Sequence, residues 1–491
     1  MKKSLAINLA VFVGMLLYCF LFWRERMGIN VLIYSTLLQV CLLKMQPESA
    51  RRREVLVTGV GTFLTAILVV LLNSTLVKIV HVLSLMTLVG FVQLAELRFI
   101  WYALLLYLRN VVFVPVTAFQ QLKTQGDIGD GLRRFRYVVT LMVIPLLILL
   151  VFYSIYYVAN PKFAEVADSF WQSVFQFFQW DISLDTIFYL IMGLFVTGGA
   201  LWKTSGERFV KWQQRKVKTI ERKRPERSKM LVNRGVIDLK KEYQSGLILV
   251  IALDLLLVVV NALDIRYVWF GEQPTNPLDW KVYVHEGTYL LIGAILLAMA
   301  ILVVLFRKNI NFLPKNEALK IAAYVWIIQN ALLALSVGVR NWRYVEHCGL
   351  AYKRIGVFLF LLLVLFGLYT MFTKVKKRKS LYFLIYKNSW AVYGLLIVAT
   401  LINWDVFITK YNLTHKTEAQ LDIAFLMKDI SDKNLSLLID NQDLMTRTVV
   451  WNTKRIQDHI EVKKGKFRHK MKWGSWKSWN YQDWRIQQKI N

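Results

Sequence analysis

The fold class this sequence predicts is all-α: a polytopic transmembrane helical bundle of about 11 spans with a small helical extramembrane domain at the C-terminus. Three observations predict it. Of 491 residues 56% are hydrophobic, with a mean hydropathy of +0.41, an apolar share above that of ordinary soluble domains. The apolar residues come in blocks of about 20, the length needed to span a bilayer. One polar stretch, 203–244, with the core ERFVKWQQRKVKTIERKRPERSK, carries fourteen Lys/Arg against five Asp/Glu. Moving that charge across an energised membrane is unfavourable, so the loop is expected in the cytoplasm.

The net charge of +30 sits mostly in loops and tail, where it suits anionic lipid headgroups or a cytoplasmic partner. A nucleic-acid role would call for a folded basic domain, and no motif for one is present. Cys19, Cys41 and Cys348 show no CxxC spacing, so neither a disulfide framework nor a zinc site is expected. The N-terminal MKKSLAINLAVFVGMLLYCFLFWRER lacks a small-residue cleavage site and is read as an uncleaved first span.

In chain order the expected spans are 4–23, 29–45, 55–72, 75–94, 137–157, 184–202, 246–264, 287–306, 318–337, 355–372 and 381–402. The apolar run at 98–119 is interrupted by Arg109 and Asn110, leaving halves too short to cross. With 203–244 inside, the Lys/Arg-rich 307–320 and 374–379 fall inside too. If 98–119 lies along the inner interface, Arg51, Arg52, Arg53, Lys2 and Lys3 also fall inside. Positive-inside counting thus favours about 11 crossings, N-terminus in and C-terminus out, with about 12 and both ends out as the alternative. The expected organisation is a membrane half at 1–202, the basic loop at 203–244, a second membrane half at 245–402 and a polar helical tail at 403–491.

Two amphipathic pieces lie outside the spans. In 161–180, Phe163, Val166, Phe170, Val174 and Phe177 or Phe178 recur at helical spacing, as in a helix lying on the outer surface or packed on the bundle. The tail ends in VKKGKFRHKMKWGSWKSWNYQDWR, where Trp473, Trp476, Trp479 and Trp484 interleave with Lys and Arg. That composition suits a headgroup interface, an envelope glycan, or the core of the tail itself.

Asp254 is the one carboxylate near the centre of a span, and an unpaired charge there is costly. Lys387 lies within about one helical turn of it in depth, at about 1.5 Å rise per residue, which makes Asp254 and Lys387 a candidate intramembrane pair. A protonatable site in an ion path, or a hydrogen bond to Gln329 or Asn330, remains open. Lys78 and His81 sit a turn apart near a helix end and read as snorkelling, hydrogen-bonded side chains. His285 and Glu286 lack the second His of a zinc-protease helix. With no GxSxG, phosphate loop, GxGxxG or acidic cluster, no catalytic, cofactor-binding or metal site is expected.

Several blocks together resemble a bacterial family of polytopic membrane proteins catalogued only as a domain of unknown function, the 4153/4173-like group. They are RERMGINVLIYSTLL; RRFRYVVTLMVIPLLILLVFYSIYYVANPKF, with Arg133, Arg136 and Pro145; and LDIRYVWFG. SVGVRNWRYVEHCGLAYKRI follows, with Ser336, Arg340, Tyr344, Gly349 and Arg354, and then NWDVFITKYNL with LDIAFLMKDIS. The resemblance implies the architecture and a bacterial inner membrane, and supplies no mechanism. It directs attention to an outer-mouth cluster of Arg266, Tyr267, Glu286, Arg340, Tyr344 and Arg354, which could brace the bundle or bind a ligand or the tail. The expected function is a non-enzymatic sensor or scaffold with an extracytoplasmic tail. The alternative is a permease or ion-coupled transporter using Asp254.

Overall fold

The computed structural model describes residues 2–123, 145, 149, 152–153, 155–178, 184–203, 206–214, 219–220, 235–271, 277–307, 309–313, 316–416, 421–446, 453–472 and 474–490. Among them the chain is helical, with a single β-bridge between Thr219 and Lys379. Among the described residues seven helices are long and apolar enough to cross a membrane, eight if one bent pair counts as a span; three shorter apolar helices accompany them. The expectation of about 11 spans counts those three, and the stretch 137–157, as full spans. Most of 137–157 lies outside the described residues, as do 204–205, 215–218 and 221–234 of the basic loop.

The chain divides into two compact units, Met1–Gln213 with Met471–Trp484, and Gln214–Lys470 with Arg485–Asn491. In the first, α1 (Lys2–Phe22) packs on α9 (Leu184–Leu201). Small residues set their approach: a Cβ on Gly193 would lie 2.7 Å from the Met15 carbonyl oxygen, and one on Gly14 would lie 2.4 Å from Thr197 Cγ2. On its other side α1 exposes Leu5, Leu9, Phe12, Leu16 and Phe20, a three-to-four-residue spacing that makes one apolar stripe. Next come α2 (Ile29–Met45), the single turn α3 (Pro47–Ala50), α4 (Arg53–Leu71) and α5 (Thr75–Gln93). Between α4 and α5 runs a buried polar seam, Thr62 Oγ1 to Ser84 Oγ at 3.0 Å and Thr65 Oγ1 to His81 Nδ1 at 3.1 Å. His81 is therefore buried and hydrogen-bonded and does not snorkel.

α6 (Ile100–Val112) and α7 (Val114–Lys123) meet at 62°. The break falls at Phe113 because Pro115, two residues on, has no N–H to donate and its ring clashes with the carbonyl four residues back. Asn110 is buried at the break and donates to Gln93 Oε1, while Gln93 Nε2 caps the end of α9 through Ala200 O at 2.6 Å and Gly199 O at 3.1 Å. Arg52 does the same for α5, reaching the carbonyls of Phe91 at 3.0 Å and Leu94 at 3.3 Å. α8 (Pro161–Phe178) is the expected amphipathic helix, capped by Asn160, with Val166 and Phe170 exposed; α10 (Glu207–Gln214) opens the basic loop.

The second unit begins with α11 (Gly235–Asp264), which runs on as a π-helical turn, Ile265–Trp269. Then follow α12 (Pro277–Leu305), α13 (Glu317–Cys348), α14 (Tyr352–Lys376) and α15 (Leu381–Ala399). Phe306, Leu319, Trp326, Val337, Leu368 and Met371 belong to its apolar core. Lys374, only 1% exposed, donates to the Phe306 carbonyl at 2.7 Å and so caps the end of α12 with a positive charge.

The tail is helical, as expected: α16 (Trp404–His415), α17 (Leu435–Asp440), α18 (Gln442–Thr446), α19 (Thr453–Lys472) and α20 (Tyr481–Ile490). Up to Lys470 its fold centres on buried Ile408, Leu426, Leu435, Ile460 and Phe467 and on the half-buried ammonium of Lys463. Lys463 Nζ donates to Asn434 Oδ1 at 2.7 Å and Ile430 O at 3.0 Å. Burial pushes this amine down to about 8, against the pull of Asp432 and Asp405. An ammonium titrating lower in the fold than in the unfolded chain, where about 10.4 is usual, is disfavoured by folding. The unfolded tail then binds more protons between those two values. Its stability should rise as pH climbs from about 8 to about 10.4 and stay flat below. Thermal unfolding across that range should show the slope in the wild type and lose it in Lys463→Met; equal slopes in both would remove Lys463 as its cause.

Candidate functional site

A line of polar contacts joins α11 to α13. Asp254, 9% exposed, accepts from Gln329 Nε2 at 2.9 Å. Two turns further along α11, Asn261 Nδ2 donates to the Gln329 backbone carbonyl at 3.2 Å. Beyond it Asp264 pairs with Arg340, their side chains 7% and 14% exposed. Trp269 Nε1, in the π-helical turn, donates to Ser336 Oγ at 3.0 Å, and Arg343 reaches the Trp269 carbonyl at 2.7 Å. The positions 254, 261 and 264 repeat at seven and three, and 329, 336 and 340 at seven and four, so each set lies on one helical face. A π-turn at the end of such a face is a frequent mark of function.

The acid expected opposite Lys387 has a neutral amide as its hydrogen-bond partner. Lys387 is exposed on α15, which packs on α14, whereas α11 packs on α13. Matched depth does not make these two residues neighbours. The open alternative of a neutral partner at Gln329 is the geometry observed, while Asn330 turns back to the Trp326 carbonyl of its own helix at 2.8 Å.

Of the outer-mouth residues, the structure ties three into the framework. Arg340 pairs with Asp264. Arg354 lies 4.1 Å from the Tyr344 ring centroid and donates to the carbonyls of Cys348 and Gly349, closing the α13–α14 turn. Gly349 has φ +82°, and a Cβ there would come 2.8 Å from Asn412 Oδ1, so the turn excludes a side chain. Arg266 lies 5.4 Å from the ring of Tyr267, which is exposed. Glu286 lies on α12, with its side chain outside the described residues.

The tail is fastened to the same turn. Asn412 accepts from Leu350 N and donates to Leu350 O at 2.9 Å, and the buried Asp405 accepts from Tyr352 and Ser431. Within the block NWDVFITKYNL neither Asp405 nor Asn412 is marked by any local pattern.

In the first unit a second fastening holds 474–484 against the turn between α1 and α2. Glu25 accepts from the Ser475 and Ser478 hydroxyls and from Ser475 N at 3.2 Å. Ile29 N donates to Trp479 O at 3.0 Å, and Arg26 lies 3.5 Å from Asp483. Lys477 Nζ donates to the Phe20 carbonyl at 2.8 Å. Burial opposes ionisation of Glu25, but the hydrogen bonds from Ser475 and Ser478 outweigh it and hold the carboxyl below its usual range. Trp476, Trp479 and Trp484 are 59%, 43% and 43% exposed, so they are not a tail core. Trp473 lies outside the described residues.

Among the described residues the three cysteines are free and no His, Cys, Asp and Glu cluster could hold a metal. A family model described as a domain of unknown function (DUF4153) matches residues 54–441. No curated protein and no solved structure matches the chain. The matched range holds the α11–α13 seam and the α13–α14 turn, and leaves out the α1–α2 turn and the segment docked on it.

Proposed function

The chain belongs to the family described as a domain of unknown function, DUF4153, and from that premise we propose a non-enzymatic scaffold or sensor of the bacterial cytoplasmic membrane. Its outer face meets an envelope partner, and its N-terminus is cytoplasmic and its C-terminus outside. The observation that carries this reading is the docked segment 474–484, fixed by side-chain and backbone bonds to the turn that follows α1 while three tryptophans stay exposed. Polar clamps with uncovered aromatics are what a presenting surface needs. Orientation is supported by the basic residues of 203–244, and by the segment's place at the end of α1 remote from Lys2. The basic loop addresses anionic lipid or a cytoplasmic partner.

Photo-crosslinkers placed at Trp476 and Trp479 in living cells should give envelope adducts, and a periplasm-active reporter fused after Asn491 should be active. Triple substitution of Trp476, Trp479 and Trp484 by Ala should cut adduct yield from a crosslinker at Tyr481 at least tenfold without lowering the melting temperature. A reporter active only in the cytoplasm would overturn the orientation. Ion flux into vesicles that vanishes in Asp254→Asn with the fold intact would replace the scaffold by a permease.

A further inference from the structure

The α11–α13 seam holds more hydrogen-bond acceptors than donors. Gln329 Nε2 gives one hydrogen to Asp254 Oδ1 at 2.9 Å, while the other polar atom of that amide, Oε1, is buried without a partner. Asn261 Oδ1, on the next polar position of α11, is buried and unpartnered as well. An orphaned amide oxygen beside an ionised carboxylate, with a second two turns along the same face, would concentrate negative charge in a buried seam, and each unmet acceptor costs about 1–3 kcal/mol. A cation would resolve this, but the charged groups that face the seam are committed elsewhere. Asp264 and Arg340 pair with each other, and Lys374 lies on the Phe306 carbonyl. Lys387 is exposed on α15, and Tyr289 is the one titratable side chain among those described on α12.

A proton supplies what is missing. One of the two Nε2 hydrogens of a primary amide lies on the edge shared with Oε1, and a group that accepts that hydrogen lies beside Oε1 too. An un-ionised carboxylic acid has the complementary edge, one oxygen to accept and one hydroxyl to donate. We propose that Asp254 is a neutral carboxylic acid paired with the Gln329 amide, its Oδ2 hydroxyl donating to Gln329 Oε1, and that this pair is a proton-binding site at mid-membrane depth. The site goes beyond a scaffold and does not depend on that reading, since the proton's place follows from the seam alone. It also accounts for a carboxylate at that depth without a counter-ion: the neutral form avoids the penalty for a charge in hydrocarbon.

The test uses the whole protein in lipid nanodiscs. Dicyclohexylcarbodiimide, an apolar reagent, adds the O–H of an un-ionised acid across its C=N bond, and the adduct is mapped by mass spectrometry. Asp254 should be labelled at neutral pH, equally with and without sodium chloride. Infrared difference spectra between wild type and Asp254→Asn should show the carbonyl stretch of an un-ionised acid. Gln329→Leu should move that band to higher frequency, because the hydroxyl loses its acceptor. An unlabelled Asp254, or a carboxylate band alone, would overturn the proposal. So would labelling that sodium suppresses, because the oxygens would then be cation ligands. An acid band that Gln329→Leu leaves in place would remove the proton from Oε1.

Discussion

Replacing Asn30 by Ala should cost the first unit on the order of 2–6 kcal/mol, two or more buried groups at about 1–3 kcal/mol each. Asn30 is fully buried in the turn after α1, and each polar atom of its side chain makes two bonds. Nδ2 donates to Arg26 O at 2.9 Å and Leu21 O at 3.0 Å; Oδ1 accepts from Gly28 N at 2.7 Å and Val31 N at 2.9 Å. Ala removes this partner from the Leu21 and Arg26 carbonyls and from Gly28 N, while Val31 N keeps the Gly28 carbonyl at 3.1 Å. The same turn receives the C-terminal segment, since a Cβ on Gly28 would lie 2.5 Å from the carbonyl oxygens of Ser478 and Trp479. Loss of Asn30 should therefore also free that segment. The expected results are a melting temperature lower by several degrees and faster protease cleavage near Met471. Asn30→Ala with wild-type melting and cleavage would show that the turn does not rely on this residue.

The second large effect belongs to Arg340 and Asp264. Removing one member of a buried ion pair strands the other charge and costs about 3–5 kcal/mol, whereas replacing both by apolar groups is often close to neutral. Arg340→Met and Asp264→Leu should each sharply lower the yield and melting temperature of the detergent-solubilised protein. The double variant should recover most of the loss. Arg340→Lys should recover little, because a compact ammonium on a flexible stem does not reproduce the guanidinium fork. A double variant no better than the singles would mean that the pair holds something other than its own charges.

Much of the fold was legible in the sequence because each apolar block is long enough to require a helix. The break between α6 and α7 was legible in part. Arg109 and Asn110 mark the polar level, but Pro115 makes the bend, and Asn110 serves as a partner for Gln93. Among the candidate residues, Arg340 and Arg354 were found from their block, while Asp264, Asn412 and Glu25 were not singled out. Their partners are backbone atoms or residues tens to hundreds of positions away, and no local pattern records such contacts.

The sequence by itself determined that this is a helical membrane protein, which blocks form helices, and where along its helix each polar residue lies, because rise per residue is fixed by the helix. Only the tertiary structure decided which helices are neighbours. Depth placed Asp254 level with Lys387, but α11 packs on α13, so the acid meets Gln329. The tail's tryptophans followed the same rule: composition marked them as interfacial or core residues, and the clamp at Glu25 and Lys477 leaves Trp476, Trp479 and Trp484 exposed. Axial position is a property of one helix, whereas azimuth and adjacency depend on how side chains of distant segments interlock.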